Sequence, residues 1–257
     1  MKQKERLIYL IKILLKEKDY VVEIPEDEEA LFSLYRSLVN VREAAPISQQ
    51  FLEVQDEMLK EENRRKGIVS LPSEMGILLW QGDITRLQVD AIVNAANAYM
   101  EGCFIPGHHC IDNAIHTYAG VQLRAECHRI MSQQGHIEPV GNAKLTPAYN
   151  LPSSYILHTV GPMIQGEVTQ QDEKLLASCY RSCIMLAAEH HLQSIAFCCI
   201  STGVFRFPAR KAAQIAIQTV KECQKITSMK QVIFNVFLDA DREIYEELLG
   251  CKAIRRE

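Results

Sequence analysis

From Gly76 onward the chain alternates short apolar runs with longer stretches of helical period, and this alternation restricts the fold more than any other feature. Residues 76–80 (G-I-L-L-W) and 91–93 (A-I-V) read as strands, the second running straight into N-A-A-N at 94–97. Residues 111–119 and 122–131 have helical spacing and are divided by Gly120. Strands are expected at 144–146, 155–160, 194–200 and 232–238, and helices at 172–189, 208–226 and 241–249. Pro208 sits near the first turn of its helix, where a missing N–H costs nothing. Strands alternating with helices imply an α/β fold with the sheet covered on both faces. Ligands of such folds lie beyond the carboxyl ends of the strands. Residues 81–83, 94–97 and 201–205 fall there, which makes them the first places to look for chemistry.

The first 70 or so residues have a different pattern. Leu7, Ile8, Ile11, Leu14 and Leu15 recur at helical spacing. Pro25 followed by four acidic residues reads as a helix start, with Leu31, Leu34, Leu38 and Val41 as its apolar stripe. Ser48 caps a third helix that ends in a charged run and Gly67. Lys12, Lys16 and Lys18 interrupt the first apolar run and no small-residue cleavage site follows, so it is read as an amphipathic helix and not a signal peptide. The one boundary lies near 60–75, giving an N-terminal helical extension (1–70) and a main domain (71–257). The extension is expected to pack on the main domain, cover its site or dock a partner.

No apolar run is long enough to span a membrane. A net charge of −4 gives no general affinity for nucleic acid. Nine cysteines, several in apolar segments such as Cys179, Cys183, Cys198 and Cys199, suit a reduced cytoplasm better than a disulfide framework.

Cys103, His108 and Cys110 crowd one short loop, and Asp112 follows two residues later. Thiolates and imidazole suit zinc. A closed structural site has four protein ligands, whereas a catalytic one leaves a position open. Three ligands therefore leave a structural zinc completed from elsewhere, a catalytic zinc, or free thiols as readings of the loop alone. His109 adjoins a ligand and is not counted as one. His116 and His158 read as packed, hydrogen-bonded histidines, Asn94 as a loop brace, Trp80 as core, and Asp112 as either a site carboxylate or a helix cap. Ser201-Thr202-Gly203 lies between a strand and a helix, where backbone N–H groups can meet an anion. Neither a complete P-loop nor a complete dinucleotide fingerprint is present.

Taken together, G-D-I-T at 82–85, D-A-I-V-N-A-A-N at 90–97, I-D-N-A-I-H at 111–116, H-T-V-G-P at 158–162 and S-T-G-V-F at 201–205 resemble the macrodomain family. The family implies a three-layer α/β/α fold with a central mixed sheet, and binding of ADP-ribose. The loop holding Cys103, His108 and Cys110 replaces the usual glycine run. In this it resembles the zinc-dependent bacterial branch, a MacroD-like, sirtuin-associated group that carries a helical N-terminal extension. That resemblance implies a zinc-dependent hydrolase removing mono-ADP-ribose from acidic protein side chains, with one zinc on Cys103, His108 and Cys110. By the same resemblance Asp83 and Ile84 recognise adenine and Asn97 holds the distal ribose. Asp112 positions water or substrate, and Ser201, Thr202, Gly203, Val204 and Phe205 enclose the diphosphate. Phe237 is a candidate for stacking on adenine. The implied substrate is a modified lipoyl-carrier protein (glycine cleavage H-like), and the implied functional link is to a sirtuin-type ADP-ribosyltransferase. A non-catalytic ADP-ribose reader with a structural zinc and an O-acetyl-ADP-ribose deacetylase are the competing functions.

Overall fold

The computed structural model describes residues 1–18, 21–72 and 74–255. Its helices are α1 (Gln3–Glu17), α2 (Glu28–Val41), α3 (Gln49–Lys66), α4 (Ile111–Ala119), α5 (Val121–Gln134), α6 (Gln170–Glu189), α7 (Ala209–Gln224) and α8 (Asp239–Leu249). Its strands are β1 (Gly76–Gln81), β2 (Ala91–Ala96), β3 (Ala143–Pro147), β4 (Tyr155–Val160), β5 (Ser194–Phe197), β6 (Gln231–Val236) and β7 (Ile254–Arg255). They form one seven-stranded sheet in the order β3-β4-β2-β5-β6-β1-β7. The pair β3–β4 is antiparallel and the other pairings are parallel, so the sheet is mixed.

Helices α6, α7 and α8 pack side by side over one face, and α4 and α5 cover the other. The central strands are therefore apolar on both sides. Ile92, Val93, Ile195, Phe197, Val232 and Ile233 are fully or almost fully buried in one core. This is the three-layer α/β/α arrangement expected of the sequence.

The N-terminal helices stack outside α4. Their apolar stripes meet in a cluster of their own, where Leu7, Leu10, Ile11, Leu31, Tyr35, Phe51, Met58 and Leu59 have no exposed surface. Asp27 accepts from the Ala30 amide and Ser48 from the Phe51 amide, fixing where α2 and α3 begin. Each such cap contributes about 1 kcal/mol. Pro25 thus precedes the second helix and does not open it.

The face these helices turn to the rest of the protein is largely polar, although Phe32 stacks on Tyr118 there with ring centres 5.6 Å apart. Gln55 accepts from the Val121 amide at 3.1 Å and donates to Gln122 at 2.7 Å. Asp56 accepts from Gln122 and Asn150, and Asn63 donates to the Asn150 carbonyl at 2.8 Å. Gly120 makes this approach possible. Its φ is +101°, and a Cβ there would lie 2.6 Å from the Gln55 and Gln122 side chains. Hydrogen bonds of this kind demand one geometry, unlike apolar packing.

Several element bounds differ from the sequence reading, among them β6, which stops at Val236, and α8, which opens at Asp239. Strand β2 extends to Ala96, and β5 stops at Phe197, where the backbone turns away into the 198–207 loop. The edge strand β7 was too short to announce itself. Among the described residues no helix is long and apolar enough to cross a membrane.

Candidate active site

Strands β1, β2, β5 and β6 run parallel and end on one side of the sheet. A cleft of about 1060 Å³ opens there. Asp83, Ile84, Asn97, Asp112, the trio Cys103, His108 and Cys110, and residues 201–205 all line it. The structure thus gathers every site residue expected from the sequence around one cavity, of the size that takes a large organic ligand.

Cys103, His108 and Cys110 converge, with one donor atom from each lying within 4.8 Å of the others. Cys103 Sγ and His108 Nδ1 are 3.5 Å apart. Tetrahedral zinc, with Zn–S of about 2.3 Å and Zn–N of about 2.0 Å, places sulfur and nitrogen about 3.5 Å apart. Cys110 also caps α4, accepting from the Asn113 amide, and a helix N-terminus favours a thiolate. Burial pushes the Cys110 thiol up, and nearby Cys103 and Asp112 push the same way against the Asn113 amide. A dication among these donors reverses that balance, because a coordinated thiol is deprotonated outright. The donor set and its spacing therefore fit zinc.

Gly102 precedes this loop with φ of +83°, and a Cβ there would lie 2.8 Å from the His116 ring. The loop can pass the imidazole only because residue 102 has no side chain.

Asp112 sits in the first turn of α4 and is 5% exposed. Cys110 takes the capping role, so Asp112 is free of it. The Asn94 amide donates to Asp112 Oδ1 at 2.8 Å, and Asn97 Nδ2 lies 3.5 Å from Oδ2. Asn97 also donates to the Gly102 carbonyl at 3.0 Å, joining the carboxylate to the metal-type loop. Burial pushes the Asp112 carboxyl up to about 6, with Asn94 and the Arg124 charge pulling it down. Asn94 is thus a brace, as expected, and what it braces is Asp112.

His158 is hydrogen-bonded in the core, as expected. Asn94 Nδ2 lies 3.1 Å from its Nδ1, and Thr146 Oγ1 lies 2.9 Å from its Nε2. An amide can only donate to Nδ1, so the proton belongs on Nε2. His116 corrects the sequence reading, because it is packed yet neither ring nitrogen has a partner. Its Nε2 lies 3.6 Å from Asp112 Oδ1, too far for a hydrogen bond. Burial, then the neighbouring His158 and Arg124, hold the imidazole well below its ordinary value and therefore neutral. His116, Cys127 and His158 do lie close enough to share an ion. Both ring nitrogens of His158 already have partners in Asn94 and Thr146, so this group lacks a third free donor.

At the other end of the cleft Asp83 is held by three contacts. Oδ1 accepts from the Thr85 amide at 3.0 Å and its hydroxyl at 2.7 Å, and Oδ2 meets Lys66 Nζ at 2.6 Å. Lys66 also donates to Thr85 Oγ1 and lies 3.4 Å from the centre of the Tyr118 ring. Burial pushes the Asp83 carboxyl up, but the Lys66 charge and the hydrogen bonds from Lys66 and Thr85 outweigh it and hold it below the usual carboxylate range. Phe237, 70% exposed, presents its ring at this end of the cavity.

Between the two ends runs the 201–205 loop. Among the described residues the amides of Gly203, Val204 and Phe205 have no acceptor within the protein. Ser201 is buried at φ of +66° and its hydroxyl is unpartnered. Such a set of free donors is a place for an anion.

The sequence did not reveal Arg36, Asn40, Lys66 or Asn113. Asn113 lies within the I-D-N-A-I-H stretch, but nothing there marked it as a site residue, and the other three lie in helices of the N-terminal extension.

Comparison with known proteins agrees with this geometry. Residues 93–216 match the Macro domain family model. The chain is 53% identical to a protein of Treponema medium named protein-ADP-ribose hydrolase, over 97% of this chain and all of that one. It is 50% identical to a Staphylococcus aureus protein of the same name, over 95% of each chain. Among solved structures, an Oceanobacillus iheyensis macrodomain variant with ADPR superposes at a TM-score of 0.62, with 36% identity over 67% of this chain and 90% of that one. A Trypanosoma brucei macrodomain in complex with ADP-ribose gives 0.63, with 30% identity over 84% and 95%. A mixed sheet flanked by helices, a ligand-sized cleft at its carboxyl edge and these relatives together show that the chain belongs to the macrodomain family.

Proposed function

We propose that this protein is a hydrolase that removes mono-ADP-ribose from acidic side chains of a protein substrate, with one zinc held by Cys103, His108 and Cys110. The observation that carries the reading is the convergence of those three donors beside the fixed carboxylate of Asp112, in a cleft whose other parts suit a nucleotide. The names of the relatives from Treponema medium and Staphylococcus aureus support the activity.

The ligand follows the cleft. Asp83 accepts from the adenine amino group, beside the Ile84 backbone, with the Phe237 ring against the base. The free amides of residues 203–205 and the Ser201 hydroxyl receive the diphosphate, with Thr202 completing the loop. This needs no lysine cluster, in keeping with the acidic composition. The distal ribose then lies among Asn97, Asp112 and the metal-type loop.

The reaction breaks the ester between an acidic side chain and the distal ribose. Water adds across that bond, leaving a free carboxylate on the protein and ADP-ribose. Zinc, when bound, supplies Lewis-acid chemistry at this end of the cleft. Asp112 orients the water or takes its proton, and Asn94 and Asn97 keep the carboxylate aimed. The protein partner we assign is a lipoyl carrier of the glycine cleavage H-like kind, modified by a sirtuin-type transferase in the cytoplasm. We also assign residues 1–70 and 71–257 as the two units of the chain.

The test is to incubate the zinc-loaded protein with a mono-ADP-ribosylated lipoyl carrier, with and without a chelator, and to resolve the products by chromatography. Free ADP-ribose is expected, and it disappears on chelation. Tight binding without release contradicts hydrolysis and makes the protein a reader. Turnover confined to O-acetyl-ADP-ribose makes it a deacetylase.

A further inference from the structure

Helix α2 of the N-terminal extension reaches the metal-type loop directly, although its sequence carries no residue of site type. Arg36 in α2 donates through Nε and Nη2 to Asn113 Oδ1, at 3.1 and 2.8 Å, and through Nη2 to the carbonyl of His108 at 2.9 Å. Its guanidinium also lines the cleft. Asn113 is fully buried and passes the contact on, donating to the Ile105 carbonyl at 3.0 Å while its amide meets Cys110 Sγ at 3.4 Å. One turn after Arg36, Asn40 accepts from the Gly107 amide at 3.0 Å and donates to Thr117 at 3.0 Å. At the end of α2, Arg124 of α5 donates to the carbonyls of Val39 and Arg42, and it reaches the Glu101 carbonyl at 2.6 Å. The same guanidinium lies 4.2 Å from the Phe104 ring centre. The loop backbone is therefore gripped at residues 101, 102, 105, 107 and 108; α2 makes the last two grips itself and touches the side chains that make those at 101 and 105.

We propose that Arg36 and Asn40 are positioning residues for the metal, and that helix α2 works as the outer support of the metal loop. This rests on the reading that Cys103, His108 and Cys110 hold zinc. The loop has no regular structure and contains Gly102 and Gly107, so little in its own sequence holds the three donors at one spacing. The His108 carbonyl is fixed by Arg36 and the Gly107 amide by Asn40, which sets the path of the backbone on both sides of the His108 nitrogen. Cys110 is fixed through Asn113, whose carboxamide is oriented by the two-pronged Arg36 contact. Partners of this kind tune metal affinity by about 10- to 100-fold. A lysine cannot replace Arg36, because a single ammonium cannot meet Asn113 Oδ1 twice and the His108 carbonyl together.

The experiment uses the full chain with Arg36→Met, Arg36→Lys and Asn40→Ala. Zinc affinity is read by competition with a chromophoric chelator. The geometry is read from the visible absorption of the cobalt-substituted protein, which reports thiolate ligation directly. Metal-free melting curves and circular dichroism are the controls for folding. Arg36 is only partly buried, so its variants are expected to melt close to wild type without metal. Both are expected to bind zinc about 10- to 100-fold more weakly, with altered cobalt bands, and Asn40→Ala to weaken it in the same direction. Wild-type affinity and an unchanged cobalt spectrum in folded Arg36→Met and Asn40→Ala would overturn the proposal while leaving the zinc reading intact. A wild-type chain that binds neither metal would overturn the zinc reading itself, and this inference with it.

Discussion

Asn94 and Asp112 are locked together in the protein interior, the carboxamide at the end of β2 donating to Oδ1 of the carboxylate in the first turn of α4 over 2.8 Å. The same Asn94 nitrogen faces His158 Nδ1 at 3.1 Å, so one amide group orients a site carboxylate and a core imidazole. Replacing Asn94 with Ala removes both bonds. A buried acceptor left unsatisfied costs about 1–3 kcal/mol, so thermal unfolding is expected to move down by that amount. Turnover should fall about tenfold or more, with ADP-ribose affinity, measured by calorimetry, changed much less.

Asp112→Asn keeps the volume and removes the charge. If Asp112 orients or deprotonates water, turnover falls by about 100- to 10,000-fold. Zinc content and ADP-ribose binding are expected to stay near wild type. A variant with more than a tenth of wild-type turnover would remove Asp112 from the mechanism.

Lys66→Met tests the adenine end. Asp83 loses the ammonium 2.6 Å from its Oδ2, and the pair is only partly shielded from water, so ADP-ribose affinity is expected to drop by roughly tenfold. There is also a pH signature. The folded-state value of Asp83 lies below the unfolded one, so its ion pair stabilises the fold above the ordinary carboxylate value, about 3.9, and that contribution disappears as pH falls through the lower folded value. Acid unfolding of Lys66→Met should therefore be less steep below about pH 4. Urea melts across that range measure the slope.

Chelation should be visible in the thiols. Cys103 and Cys110 are partly exposed, whereas Cys127, Cys179, Cys183, Cys198 and Cys223 are buried. Removing zinc is expected to add this pair to the cysteines that react quickly with a disulfide reagent. Readdition of zinc should protect them again. Protection that ignores the metal would contradict their role as ligands.

Gly102→Ala asks whether the loop needs its left-handed turn. With φ of +83° and His116 2.8 Å from the new Cβ, the loop must move or the imidazole must yield. Roughly 1–3 kcal/mol of strain is expected. It should appear as weaker zinc binding together with a lower melting temperature.

The fold and the cleft could be read in the sequence because their signals are local. Apolar runs of strand length and capped helical stretches state the α/β architecture directly. Cys103, His108 and Cys110 are crowded by their own loop, and Asp83, Asn97 and Ser201 follow strand ends, where this architecture places ligands. What stayed hidden is long-range. Arg36 meets His108 across 72 residues of chain and Asn40 meets Gly107 across 67, and nothing in a helix of ordinary amphipathic pattern marks which polar residue will do so. Likewise Lys66 stands at the end of a charged run, and only the folded chain shows it lying over Tyr118 beside Asp83. His116 was expected to be hydrogen-bonded as well as packed. Gly102, Cys127, His158 and Asp112 surround it in the fold, and neither ring nitrogen finds a hydrogen-bond partner among them.

Diffraction from crystals of the zinc-loaded protein with ADP-ribose, recorded on both sides of the zinc absorption edge, tests the central claim most directly. One anomalous peak is expected about 2.3 Å from Cys103 Sγ and Cys110 Sγ and about 2.0 Å from a His108 ring nitrogen, with the distal ribose beside it and Asp112. A peak at any other set of residues, or none in a fully loaded, active protein, would contradict it.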